Sequence, residues 1–329
     1  MAIRKITYAE AIKEAMEQVM KRDRKVFIIG QGITSPWYVG NSCDGLFEKF
    51  GEKRVIDTPV SENGITGAAV GAAMADTRPV LIFPRMDFMY LAMDQIINQA
   101  ANWHYIFGGK VNVPLVIRGI INRGGEQAAQ HSQAIQAIFA HIPGLKVVMP
   151  STPYDAKGLL ISAIYDGNPV IYIDDRWLYD LEGNVPKKIY KVPIGKGIIK
   201  KRGKDITIVA TSYMALQSLE AAKRLKKDKI DAEVIDLRSI KPLDEKLILR
   251  SVKKTGRLLI VDAAWRNCGI AAEISARISE KMLKSLKLPI KRLTLLDVPA
   301  PASSVLEKVY YLNSDDIVKA VKKLIHPVK

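Results

Sequence analysis

Short apolar runs alternate with amphipathic stretches from one end of the chain to the other. Thr7-Tyr8-Ala9-Glu10 has the spacing of a capping box and opens a helix whose apolar stripe is Ile12, Ala15, Met16, Val19 and Met20. Before it, Met-Ala-Ile-Arg-Lys is expected to lead directly into that helix. Val26-Phe27-Ile28-Ile29, ending in Gly30, predicts a buried strand, and Val55-Ile56-Asp57 predicts a second one followed by a small-residue helix from about residue 64. Strands are expected at 80–83, 115–117, 146–149 and 170–172, with a long helix over 88–102 and a shorter one over 154–165. Residues 178–205 break the rhythm with Pro186, Pro193, several glycines and many lysines. The alternation then resumes, with strands at 206–210, 232–235, 258–261 and 290–295 and helices over 214–225, 245–254, 270–286 and 314–324. The pattern predicts an α/β fold of two doubly wound domains, 1–180 and 205–329, joined by a linker at 181–204.

Composition narrows the class. With 329 residues, 48% hydrophobic and 26% charged, the chain is long enough for two cores and has the balance of a globular protein. Cys43 and Cys268 lie far apart, which argues against a disulfide framework and fits a reducing, cytoplasmic location. Histidines 104, 131, 141 and 326 are too scattered for a zinc site. No run approaches the roughly 18 apolar residues of a membrane helix, and no apolar segment follows the basic N-terminus as a signal peptide requires. The net charge of +16 has two readings, phosphate binding or a lysine-rich solvated surface. The lysines are scattered, as at Lys187-Lys188, Lys200-Lys201 and Lys253-Lys254, without interleaved aromatics, so no nucleic-acid partner is expected.

Candidate chemistry lies where strands end. Gly30-Gln31-Gly32 begins like a dinucleotide fingerprint, but the third glycine is missing and Pro36 follows, so it reads as a turn. Glu62 stands at a strand-to-helix junction between apolar Val60 and Ile65. It is either a carboxylate tuned for proton transfer or an exposed one favoured by the helix dipole. The helix over 64–75 has Gly64, Gly67, Gly71, Ala68, Ala72 and Ala75, suited to close packing on a partner helix or on its own sheet. His131 follows Gly119, Gly124 and Gly125 at the same rim, in either a catalytic or a structural role.

Several blocks occur in order at the spacing of one family. They include Asp57-Thr58-Pro59-Val60-Ser61-Glu62, Asp94-Gln95-Ile96-Ile97-Asn98, Ala128-Ala129-Gln130-His131-Ser132-Gln133, Asp155-Ala156-Lys157-Gly158, Ala232-Glu233-Val234-Ile235-Asp236-Leu237-Arg238 and Asp297-Val298-Pro299. Over nearly its whole length the chain resembles the beta subunits of thiamine-diphosphate-dependent 2-oxo acid dehydrogenases, of the pyruvate, branched-chain and acetoin type, within the transketolase-like superfamily. The resemblance implies a pyrimidine-binding first domain and a transketolase C-terminal-like second one. It implies that Glu62 hydrogen-bonds N1′ of the aminopyrimidine, that Val60 and Phe88 contact the cofactor, and that His131 assists proton transfer or positions a lipoyl arm. It places a monovalent-cation site, K⁺ for example, at Leu115, Ala163, Asp166 and Asn168.

The Gly-Asp-Gly…Asn signature that holds Mg²⁺ and the diphosphate is missing here. The resemblance therefore implies a separate alpha subunit carrying it, in an α2β2 assembly that decarboxylates a 2-oxo acid and passes the acyl group to a lipoyl acceptor. Departures bear on substrate: Arg85 and Asp87 in Phe83–Phe88, Arg123 before the histidine, and Ala300-Pro301-Ala302. Arg85 or Arg123 is expected either to recognise an anionic substrate group or to pair with Asp87 or Glu126. A chain at +16 is also a poor match for the basic domain of a lipoyl acyltransferase core. The alternatives are a two-subunit transketolase-like carboligase that uses an aldehyde acceptor, or a non-catalytic assembly or nucleic-acid-binding protein.

Overall fold

The computed structural model describes residues 3–326. They form two compact units: one holds the chain to residue 123 together with 130–194, the other 124–129 together with 195 onward.

Six strands of the first unit lie side by side in the order Lys146–Val148, Val170–Asp175, Val116–Ile121, Arg78–Phe83, Val26–Gln31, Val55–Thr58, every pair parallel. The central strands are buried along their length, as continuous apolar runs require of a sheet covered on both faces. All their carboxyl ends share one edge, so Gln31, Thr58, Phe83, Ile121 and Asp175 open onto a common rim. The helix Tyr8–Arg22 starts at the expected capping box: Thr7 Oγ1 accepts the Glu10 N–H at 3.2 Å, and the Glu10 carboxylate accepts the Thr7 N–H at 2.7 Å. Its stripe of Ile12, Ala15, Met16, Val19 and Met20 is buried, and the helix packs on Pro153–Ile164. Each large side chain so covered stabilises the unit by roughly 1.5–3 kcal/mol.

Three local expectations give way, two of them to long-range pairing. Residues Ile3–Thr7 form a strand rather than running into the helix, and they pair antiparallel with Glu182–Pro186. Ile198–Lys201 adds antiparallel to Ala232–Asp236. The segment expected as a linker thus contributes a strand to each unit, and the division falls between residues 194 and 195. The single helix expected over 88–102 is broken into a 3₁₀ stretch Met86–Ala92, wide π-type turns over Asp94–Ala100 and a short helix Trp103–Ile106. Its first part lies tight on the sheet: a Cβ on Gly119 would come within 2.7 Å of the Met89 sulfur.

The second unit has the parallel order Lys291–Leu295, Leu258–Trp265, Ile206–Ala210, Ala232–Asp236, with Ile198–Lys201 as the antiparallel edge. Ile206, Ile208, Leu225, Val234, Leu259 and Ile317 are in its core. The helix Ser304–Tyr310 had no counterpart in the sequence pattern.

One polar group sits inside the first unit's sheet. Arg118 has no exposure, and its Nε and Nη2 each lie 2.9 Å from an Asp174 oxygen. Nη2 also donates to Ser42 Oγ and to the Tyr179 hydroxyl at 2.8 Å. Replacing Arg118 with Met leaves a buried carboxylate uncompensated and should cost about 3–5 kcal/mol. Urea unfolding of Arg118→Met should show that loss, and the double variant Arg118→Met/Asp174→Asn should recover part of it.

Candidate active site

Asp57, at the end of its strand, holds the neighbouring turn. Its carboxylate accepts the Gly32 N–H at 2.7 Å, the Thr34 N–H at 3.3 Å and the Thr34 hydroxyl. Gly32 takes φ +63°, which the turn demands and a side chain would oppose. Beside this turn is a cleft lined by Gly30, Gln31, Glu62, Ile65, Leu81, Ile82, Phe83 and Pro84. Glu62 is its only charged wall. The glutamate is half-buried and is the first residue of the helix Glu62–Met74, whose dipole favours a negative charge there.

Phe88 and His131 meet edge to face, with ring centroids 5.4 Å apart and planes at 82°. Two further contacts dock the histidine segment: the Asp87 carboxylate accepts the Gln133 N–H at 3.2 Å, and the Tyr90 hydroxyl lies 3.3 Å from Gln133 Oε1. Burial, then the charge of Arg85, pulls His131 below its usual range, so the imidazole is neutral at pH 7 and able to accept a proton. No hydrogen bond joins Glu62 to His131 among the described residues. They share the rim through the segment that runs from Phe83 to Phe88. Val60 is 68% exposed and forms no part of the cleft wall.

The two candidate substrate arginines differ. Arg123 is buried and ion-paired with Asp175, with its guanidinium 5.4 Å from the Trp177 ring. It does not pair with Glu126, whose N–H donates to Glu307 and whose carboxylate accepts the Ser304 N–H. Arg85 is buried and donates to the carbonyls of Pro84 at 2.8 Å and Tyr38 at 3.3 Å.

The residues expected at a cation site come together in one corner. The Ala163 carbonyl accepts the Asp166 N–H, and the Leu115 carbonyl accepts the Val170 N–H. Asp166 is held by Lys146 at 2.6 Å and by the Asn168 N–H at 2.9 Å, while Arg78 donates to the carbonyls of Ile164 and Asp166. The Asn168 side-chain oxygen is buried without a hydrogen-bond donor. No cluster of three or more His, Cys, Asp or Glu able to hold a metal exists among the described residues.

Two features were not assigned from the sequence. Asp87 is a structural clasp for the histidine segment, and Arg176 joins Arg85 at the rim. The signal for the second was present in Asp174-Asp175-Arg176, three charges at the carboxyl end of an apolar strand.

A parallel sheet whose carboxyl edge opens on a cleft with Glu62 as its one charged wall, followed by a second α/β unit, is the arrangement of a transketolase-type protein. The family descriptions that match agree: "Transketolase, pyrimidine binding domain" over residues 4–180 and "Transketolase, C-terminal domain" over 195–317. Among solved structures, a split-gene transketolase described as an inactive beta4 tetramer superimposes with a TM-score of 0.79 at 23% identity, over 97% of this chain and 98% of that one. Full-length relatives are more informative. The beta subunit of acetoin:2,6-dichlorophenolindophenol oxidoreductase from Cupriavidus necator is 44% identical over 97% of both chains. The pyruvate dehydrogenase E1 beta subunit of Rickettsia felis is 43% identical over 98% of both. The 2-oxoisovalerate dehydrogenase beta subunit of Bacillus subtilis is 42% identical over 97% of this chain and 98% of that one. The chain belongs to the family of thiamine-diphosphate-dependent 2-oxo acid dehydrogenase E1 beta subunits.

Asp87 gives a pH prediction. Burial pushes its carboxyl up to about 6, and one of its oxygens is buried without a donor. The unfolded chain ionises this group near 3.8, so the folded state binds the extra proton between the two values. Stability should therefore fall as pH rises from about 4 to about 6 and stay lowered above, by at most about 2–3 kcal/mol. Asp87→Asn should flatten that segment of the unfolding curve and match or exceed the parent at pH 7.

Proposed function

We propose that this chain is the beta half of a 2-oxo acid decarboxylating enzyme, the reaction taking place in the Glu62 cleft. The observation that carries the reading is the single carboxylate in an otherwise uncharged slot, on the rim that also holds the Phe88–His131 contact. A mostly apolar wall with one acid has the chemistry to meet the edge of an aminopyrimidine, the acid taking a ring N–H. When bound, thiamine diphosphate supplies a nucleophilic carbon and an electron sink for the bond that breaks on loss of carbon dioxide.

The chain's own groups do the rest. Glu62 holds the proton of the ring nitrogen, which governs the basicity of the opposite amino group. Phe88 offers its ring as packing surface and orients His131. The neutral imidazole of His131 takes or returns a proton on the substrate side. Mg²⁺ and the diphosphate fall to an alpha subunit, since this chain has no Gly-Asp-Gly…Asn signature. A docking face for a partner helix is available: Gly64, Ala68, Gly71 and Ala75 are all exposed, and a Cβ on Gly71 would meet nothing within 4 Å. We read the assembly as α2β2. We read the enzyme as cytoplasmic, a location that its two free cysteines suit.

The acceptor is a lipoyl group in this reading. A charge of +16 favours a second one, transfer to an aldehyde, because a basic core domain would be repelled. Co-expressed with its alpha subunit, the chain should reduce a lipoyl domain in the first case and form a carbon–carbon bond in the second. In either case Glu62→Gln should lower decarboxylation by about 10²–10⁴-fold with the assembly intact by size. An undiminished rate in that variant would remove the basis of the proposal.

The corner of Leu115, Ala163, Asp166 and Asn168 is read as a monovalent-cation site, supported by the undonated Asn168 oxygen among main-chain carbonyls. The thermal midpoint should rise by a few degrees in potassium chloride over choline chloride at equal ionic strength. Identical midpoints would reject the site.

A further inference from the structure

Residues 122–135 join the strand Val116–Ile121 to the helix Gln136–His141 with neither helix nor strand of their own, and His131 lies among them. A stretch of that length has no backbone ladder to hold it, so individual contacts set its shape. Arg123 pairs with Asp175 near its start, and the Asp87 carboxylate accepts the Gln133 N–H beyond the histidine. Between these two, Glu126 makes a third hold.

The Glu126 carboxylate accepts the Ser304 N–H at 3.1 Å, and the Glu126 N–H donates to Glu307 Oε1 at 3.0 Å. Ser304 is the first residue of the helix Ser304–Tyr310, and the Ser303 side chain before it makes no capping bond. Glu126 and that helix therefore exchange, between two distant segments, bonds of the kind a capping box makes within one. Glu307 is buried, so the acceptor that holds the Glu126 N–H is itself fixed. Gly124, Gly125 and Glu126 take φ of +78°, +66° and +61° in succession. A left-handed glutamate is strained where a third glycine would not be, and its two bonds offset that strain. Ala128, at φ +59°, continues the strained path toward His131.

We infer that Glu126 is a positioning residue for His131: its two bonds to the Ser304–Tyr310 helix anchor a strained loop and so set where the imidazole stands against Phe88. Only Gln127–Gln130 separate the anchor from the histidine. A shift at Glu126 is carried along this short path to the imidazole, which is otherwise placed by the edge of Phe88 and by the hold on Gln133. Proton transfer needs heavy atoms about 2.6–3.2 Å apart, so a displacement of about 1 Å is enough to impair it. Glu126 itself touches no reacting atom and acts only through the loop. Its loss should therefore fall on turnover and leave substrate affinity alone.

The inference rests on the decarboxylase reading for its kinetic test but not for its labelling test. Glu126→Gly keeps a backbone suited to positive φ and removes only the side chain, so the fold is not at risk. In the cofactor-loaded complex with the alpha subunit, this variant should lower kcat by about ten- to a hundredfold with KM within about twofold. Glu126→Gln, whose amide oxygen still accepts the Ser304 N–H, should recover most of that turnover. On the chain alone, labelling by diethyl pyrocarbonate is read by mass spectrometry, with His104 and His141 as references in the same digest. His131 should react about threefold faster or more in Glu126→Gly and near the parent rate in Glu126→Gln. A contact that only stabilised the second unit would lower the thermal midpoint of Glu126→Gly and leave kcat and His131 labelling as in the parent. Either a parent-like kcat or unchanged labelling in Glu126→Gly overturns the inference, the second even without turnover. Faster labelling in Glu126→Gly, reversed in Glu126→Gln, from a parent complex that turns over no 2-oxo acid would keep the hold on His131 and sink the decarboxylase reading.

Discussion

A guanidinium with no water within reach organises the centre of the first unit. Arg118 spans from its own strand to Asp174 on the next, and at the same time fastens Ser42 and Tyr179. Those two belong to the segments after Val26–Gln31 and Val170–Asp175, which carry the outer parts of the rim. Desolvating such an ion pair is expensive, and complete hydrogen bonding on both sides makes it tolerable. Its effect is specificity: slipping either strand by one residue would strand a charge in apolar surroundings. The carboxyl-end edge, with every functional group it presents, is referenced to this one pair.

That edge sorts charge by compensation. Arg118 and Arg123 have dedicated carboxylates and serve the frame. Glu62 and His131 have no carboxylate or cation partner among the described residues, the first lining an otherwise uncharged cleft and the second lying against an aromatic ring. Arg85 and Arg176 meet at a main-chain carbonyl. The distinction between supporting and working groups here is one of partners more than of residue type, and residue type is all that a sequence prints.

This explains what could be read beforehand and what could not. Continuous apolar runs and a capping box are local signals, and the parallel strands and the helix Tyr8–Arg22 follow from them. The pairing of Ile3–Thr7 with Glu182–Pro186 joins segments far apart in the chain, and one of them is rich in lysine and proline, so no local pattern announces it. The helix expected over 88–102 was periodic enough, but contacts of Met86 and Met89 with bare Gly119 draw its first turns tighter than an α-helix. At the site, motifs single out Glu62, Phe88 and His131 as candidates, and the structure puts the last two in contact. Arg123 was an equal candidate with Arg85 until Asp175 was seen to claim it. Asp87 and Arg176 acquire meaning only from neighbours contributed by other strands.

The helix that begins with Glu62 has one bare side of glycine and alanine. Acid and bare side belong to a single rigid rod, so whatever settles into the small-residue groove also sets the depth at which the acid stands. Quaternary assembly would then act as a mechanical arming step.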